Sequence, residues 1–271
     1  MLQDYHMHTV FSVDGEAQPD ALADDRVRLG INCFAITDHA DFCAGLTKKR
    51  QRELTDGLID TFTQLRGAIE KIRMRHPQVS AAFGIEIGQP LYSPDQADRL
   101  ISALDFDVVL VSQHEAEGGS DFYFADFTQR SWLKRMDDYF DFLPRLVKWG
   151  NFDVMAHITY PFRQMYRQHL EAPVARYHDA ITALMRQLID SGKALELNVS
   201  PCFEGYPPMP TLELLKEYRQ MGGQLLTIGS DDHKCEFAPQ LPLLGAELAR
   251  QAGFRYFTAY RQRKPIQIAL D

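Results

Sequence analysis

The sequence predicts an α/β barrel in a single domain, and three observations carry that prediction. Seven apolar runs each end in or carry a histidine or a carboxylate: DYHMH, FAITDH, AAFGIE, VVLVSQH, DVMAH, ALELN, which contains Glu196, and LLTIGSDDH. Segments of helical period separate the runs, so strand and helix alternate. At 271 residues the chain falls in the range of one α/β barrel. A strand that is apolar throughout is buried on both faces, and the C-terminal ends of parallel barrel strands open on a common mouth.

The elements follow in order. Pro19 to Leu29 predicts a short helix ended by Gly30, and Arg50 to Arg75 a long one that stops before Pro77. Further helices are predicted over Pro94 to Ala103, Ser131 to Lys148, Val174 to Asp190, Leu212 to Met221 and Leu241 to Gln251. Gly150, Gly192, Gly222 and Gly253 end four of these with the left-handed cap that other residues resist. Pro144, inside the fourth helix, predicts a kink or break. Phe254 to Leu270 predicts a terminal hairpin around Arg261-Gln262-Arg263-Lys264-Pro265, read as a solvated basic turn. No Ser/Gly-rich linker divides residues 1–271.

Composition narrows the function classes. Hydrophobic residues make up 45% and charged residues 24%, ordinary values for a soluble globular chain. The net charge of -8 argues against a nucleic-acid partner. It leaves room for a small phosphorylated molecule, because bound cations reverse the local sign. Cys33, Cys43, Cys202 and Cys235 form no C-x-x-C pair and read as reduced thiols. The opening Met1-Leu2-Gln3-Asp4 leads to His6 with no room for a signal segment, and no apolar stretch approaches the roughly 20 residues that span a bilayer. The expectation is a soluble cytoplasmic protein without a membrane partner.

Six of the nine histidines (His6, His8, His39, His114, His157, His233) stand at the ends of these runs, together with Glu86 and Asp231. In His6-Met7-His8 the two imidazoles share one side of an extended segment. Any one of these histidines alone reads equally well as a hydrogen-bonded core residue. Glu86 strengthens the set: a carboxylate among apolar neighbours must be neutral, paired or metal-bound. A zinc-like ion takes four or five ligands and a catalytic one reserves a position for water, so this many candidates call for two or three ions. Metals sharing a carboxylate suit phosphoester hydrolysis. Zn, Mn, Fe and Co all accept such a donor set.

The ordered motifs H-M-H, T-D-H, G-I-E, S-Q-H, A-H and S-D-D-H, spanning His6 to His233, resemble the polymerase and histidinol phosphatase (PHP) family. The DFYF segment (Asp121 to Phe124) and HITYPFR, which begins at His157, are similar to its histidinol-phosphatase branch. The resemblance implies a distorted, TIM-like (β/α)7 barrel with a trinuclear site. One ion takes His6, His8, Glu86 and Asp231. A second shares Glu86 and adds His114 and His157. A third takes His39 and His233 with either Asp14 or Glu16. Arg163, expected in a loop at the barrel mouth, is the candidate for bidentate capture of phosphate. Glu115 and Asp41 are candidates to receive a substrate amine, and Glu196 to support a ligating imidazole. Asp231 and His233 are candidates to influence the proton taken by the leaving alkoxide.

The implied activity is hydrolysis of L-histidinol phosphate to L-histidinol and phosphate, a step of histidine biosynthesis, with two or three Zn, Mn or Fe ions. The nearest alternative is a PHP phosphoesterase acting on nucleotides or nucleic-acid ends, disfavoured by the acidic balance. A third reading is a metal-binding barrel without turnover. Its expected mark, loss of ligand residues, is missing.

Overall fold

The computed structural model describes residues 1–116, 120–129, 131–234 and 240–270; Cys235 lies outside them. The strands are β1 (Leu2–Asp4), β2 (Ile31–Ile36), β3 (His39–Asp41), β4 (Ser80–Gly88), β5 (Val108–Ser112), β6 (Val154–Met155), β7 (Ala194–Asn198) and β8 (Leu226–Gly229). They run parallel in the order β1-β2-β4-β5-β6-β7-β8, with β3 continuing the edge of β2 onto β4. β8 returns to β1: Tyr5 N donates to Ile228 O at 2.7 Å, and Met7 bridges Asp232 in parallel sense. The result is the nearly closed seven-stranded barrel expected from the sequence.

Strand alternation divides the core in two. Within β4, Ala81, Phe83, Ile85 and Ile87 join the large cluster beneath the helices, whereas Ala82 joins the smaller cluster with Cys33, Ala35, Val108, Leu110, Val154 and Ala194. Side chains two apart share a face, so Glu86 falls on the side of Ala82. By the same rule Glu196 follows Ala194. Each buried carboxylate is thus carried to the strand end on the face opposite the helix layer.

The helices are α1 (Pro19–Arg28), α2 (Lys48–Arg75), α3 (Pro94–Ala103), α4 (Ser131–Trp149), α5 (Tyr160–Arg167), α6 (Val174–Asp190), α7 (Leu212–Gln220) and α8 (Leu241–Gln251). The seven predicted helices are present with ends shifted by at most two residues. No break occurs at Pro144: α4 continues through it, holding Met136, Tyr139, Phe140, Phe142, Leu143 and Leu146 in the core. Packing on both sides of the proline outweighs the lost hydrogen bond. α5 is an addition, and it moves Arg163 from a loop onto a helix.

The C-terminal hairpin, β9 (Tyr256–Arg261) with β10 (Lys264–Ala269), packs Phe257, Ala259 and Tyr260 into the smaller cluster. Its turn is not free in solvent. Arg263 Nε donates to Asp153 Oδ2 at 3.0 Å and NH1 to Asn151 Oδ1 at 2.7 Å, while Arg263 N donates to Asp107 O at 2.8 Å. Asp107 and Asp153 precede β5 and β6, so the hairpin closes the end of the barrel remote from the histidines.

Candidate metal and active site

Glu86 stands at the centre. Its Oε2 lies 2.8 Å from His39 Nδ1, 3.3 Å from His6 Nε2 and 3.6 Å from His8 Nε2; its Oε1 lies 2.9 Å from His157 Nε2 and 3.2 Å from His114 Nε2. Asp231 Oδ1 lies 3.3 Å from His8 Nε2 and 3.6 Å from His6 Nε2. Asp14 Oδ2 lies 3.4 Å from His233 Nε2 and 3.8 Å from His39 Nε2. Glu16 is directed elsewhere, with its Oε1 2.7 Å from Lys234 Nζ. Of the two acidic candidates for the third ion, Asp14 is therefore the one brought to the histidines.

These donors fit cations. Glu86 Oε2, His6 Nε2, His8 Nε2 and His39 Nδ1 are buried and make no hydrogen bond, although they crowd within a few ångströms of one another. Buried polar atoms without partners are costly. Closely grouped donor sets include His6, His8 and Asp231; His39, Glu86 and His114; and His8, His39 and His233.

The electrostatics agree. Burial disfavours charge on Glu86 and Asp231, but the imidazoles overrule it and hold both carboxyls well below the usual carboxylate range. Burial likewise opposes charge on His39, yet Glu86 beside it lifts its pKa to about 9. His6 and His114 are also raised against burial, by Glu196 and Glu86 respectively. His8 is pushed well below the ordinary range by burial and by the neighbouring His39 and His233. Without ions the cluster gathers protons to offset its carboxylates.

A fixed scaffold aims the imidazoles. Glu196 Oε1 lies 2.6 Å from His6 Nδ1, and its Oε2 accepts from His157 N at 2.7 Å. His157 and Asp231 have φ of 24° and 56°, an uncommon backbone for non-glycine residues. Gly229 makes the approach of Glu196 possible, since a Cβ there would overlap Glu196 and lie 2.5 Å from His6 Cβ. Asp38, which the sequence reading passed over within T-D-H, accepts from Thr9 N at 2.6 Å and from Ser12 Oγ at 2.7 Å. Ser12 Oγ in turn meets His8 Nδ1 at 3.2 Å and accepts from His39 N at 2.8 Å.

The cluster opens into a cavity of about 600 Å³. Arg163 and Asp41 line it; Glu115 does not, and Asp121, joined to Glu115 by a backbone bridge, does. Burial and the charges of Asp41 and Asp121 draw Glu115 toward its neutral form. Arg163 NH2 lies 3.2 Å from Glu204 Oε1 and NH1 3.8 Å from Asp231 Oδ2, while its Nε is buried without a hydrogen bond. Arg167, one turn further along α5, also pairs with Glu204. Its place four residues after Arg163 was visible in the sequence, but only the unpredicted helix puts both on one face.

Residues 4–200 match the model of the PHP domain family. The chain belongs to the PHP domain family. This PHP chain is 28% identical over 233 residues to a Thermotoga maritima protein named probable histidinol-phosphatase, covering 86% of this chain and 84% of that one. It is 23% identical over 239 residues to the histidinol-phosphatase of Lactococcus lactis, covering 85% and 83% of the two chains. Among solved structures, the PHP barrel is similar to the histidinol phosphate phosphatase of Lactococcus lactis complexed with zinc, L-histidinol and phosphate. There the TM-score is 0.75 at 20% identity, covering 98% of each chain.

Proposed function

We propose that this PHP barrel is a metal-dependent phosphomonoesterase that hydrolyses L-histidinol phosphate to L-histidinol and inorganic phosphate. The observation that carries the reading is the buried cluster around Glu86, which holds imidazole and carboxylate atoms without hydrogen-bond partners and whose outer members His39, His114, His157, Asp231 and His233 line a cavity together with Arg163. The relatives supply the substrate class, since they bear histidinol-phosphatase names and one was crystallised with L-histidinol and phosphate.

His6, His8, Glu86 and Asp231 would hold one ion, Glu86, His114 and His157 a second, and Asp14, His39 and His233 a third. The chemistry supplied by divalent zinc, manganese or iron, if bound there, would be a lowered pKa for water and neutralisation of phosphoryl charge. Arg163 presents donors to two nonbridging oxygens. Asp41 and Asp121 receive the substrate ammonium. Asp41 is suited to this: burial opposes its charge, but His114 prevails and keeps it ionised. As the oxygen of water bonds to phosphorus, the bond to the histidinol oxygen breaks and that oxygen takes a proton. Asp231 and His233, partly exposed at the cavity, would influence that transfer.

Among the described residues no helix is long and apolar enough to cross a membrane, and we assign the activity to the cytoplasm. The test is phosphate release by purified protein loaded with Mn²⁺ or Zn²⁺, using L-histidinol phosphate and a panel of nucleoside monophosphates. Preferred turnover of L-histidinol phosphate is expected. Turnover of another monoester with none of this one would sink the substrate assignment.

A further inference from the structure

Two large aromatic side chains stand in solvent at the mouth of the cavity. Tyr123 is 57% and Phe124 77% exposed, and both line the space that contains His39, His114 and Arg163. Their rings meet edge to face, with centroids 5.1 Å apart at 81°, so that they form a corner. The Arg167 guanidinium lies 5.7 Å from the Tyr123 ring.

The backbone beneath them is tied down at several points. Asp121 accepts from Tyr123 N at 2.7 Å, and Tyr160 OH donates to Asp121 Oδ1 at 3.1 Å. Phe122, between the acidic cap and the exposed rings, is fully buried against Phe127 and Tyr139. Its amide donates to His114 O at 2.9 Å, joining the turn to a candidate metal ligand. Beyond the rings, Gln168 Nε2 donates to Ala125 O at 2.7 Å. The exposed pair is thus held at a set distance from the metal cluster. Two anchored rings left in water beside a polar cavity offer a face to a planar or apolar group.

We infer that Tyr123 and Phe124 form an aromatic subsite for the leaving alcohol. It selects phosphomonoesters whose alcohol carries a planar ring, such as imidazole or phenyl, a few bonds from the ester oxygen. The inference rests on the proposed seating of phosphate at the cluster and Arg163. With the phosphate there, the alcohol extends toward the mouth and its ring meets the corner, while Asp41 and Asp121 face a cationic substituent.

The experiment compares 2-phenylethyl phosphate with ethyl phosphate on the native enzyme and on Tyr123→Ser/Phe124→Ser. The ratio of kcat/KM for the ring-bearing over the ring-free ester is expected to fall about tenfold in the double variant, mainly through KM. An unchanged ratio overturns the subsite. So does a smaller assembly mass for the variant in solution, which would make the rings a contact between copies. Calorimetric binding of 2-phenylethylphosphonate separates this inference from the functional reading. If no phosphomonoester is turned over but the phosphonate binds the native protein and not the variant, the functional reading fails and the subsite stands. Equal binding by both proteins removes the subsite. Should the double variant fail to fold, Phe124→Ser alone is put through the same comparisons.

Discussion

Glu86 reaches the cluster through strand alternation, whereas Glu196 reaches it through a glycine. The first was legible in the sequence, because a carboxylate inside AAFGIEIG must be neutral, paired or ion-bound. The contacts of Glu196 were not, since they depend on Gly229 leaving room across the barrel. A ligating imidazole is oriented by the partner of its second nitrogen, so we predict that Glu196→Gln lowers metal affinity about 10–100-fold while the fold persists. Chelator competition reads this directly; an affinity within twofold of native would show that Glu196 does not orient His6. The raised pKa of His39, from 6.5 to about 9, sets a second expectation. In the metal-free protein the stability contributed by that proton is fully present below 6.5 and gone above about 9, so metal-free stability declines through this window. Metal affinity does the opposite, because the ion must displace the proton, and it climbs by up to about tenfold per pH unit for each proton released. Denaturant melts and chelator titrations at several pH values check both slopes; parallel trends would contradict the assignment.

At the scale of elements, helix α1 does more than cover β2. Arg26 is 2% exposed; its Nε donates to Asp4 Oδ2 at 2.8 Å and its NH2 to Asp232 Oδ2 at 2.7 Å. Asp4 also accepts from Ser230 N at 2.8 Å and Ser230 Oγ at 2.7 Å. One guanidinium therefore joins the strand leading to His6 and His8 to the segment of Asp231 and His233. Arg26→Met leaves two buried carboxylates without it, and we predict a loss of about 3–5 kcal/mol in unfolding free energy. A loss below about 1 kcal/mol in denaturant titration would mean that the pair is replaceable. Sequence reading did not find this clamp because its members are scattered along the chain and Arg26 looks like an ordinary charge on a helix. The same reason hid the docking of Arg263, read as a solvated turn although its partners are Asp107 and Asp153. Local signals placed the helices well. They missed α5, whose eight residues give too short a periodic pattern to stand apart from a loop.

For the whole molecule, ions in the proposed cluster would help hold the barrel shut. Its donors come from β3, β4, the segments after β1, β5, β6 and β8, and the loop carrying Asp14. Ions that bind the folded chain and not the unfolded one stabilise it by about 2.7 kcal/mol at a free concentration of 100 times Kd. Stripping the metals is therefore expected to lower Tm by roughly 5–10 °C, with recovery on adding Zn²⁺ or Mn²⁺. An unchanged melting curve, with metal loss verified by elemental analysis, would show that the ions do not contribute to holding the fold.

The hairpin adds a long-range condition. Gln3 Nε2 donates to Thr258 O at 2.8 Å, Tyr5 OH donates to Tyr260 O at 3.0 Å, and Tyr260 N donates back to Tyr5 OH at 2.7 Å. β1 and Tyr5 just beyond it thus take partners 255 residues further along the chain, on β9. A disturbance at the end of the barrel remote from the histidines therefore reaches the strand that leads into His6 and His8.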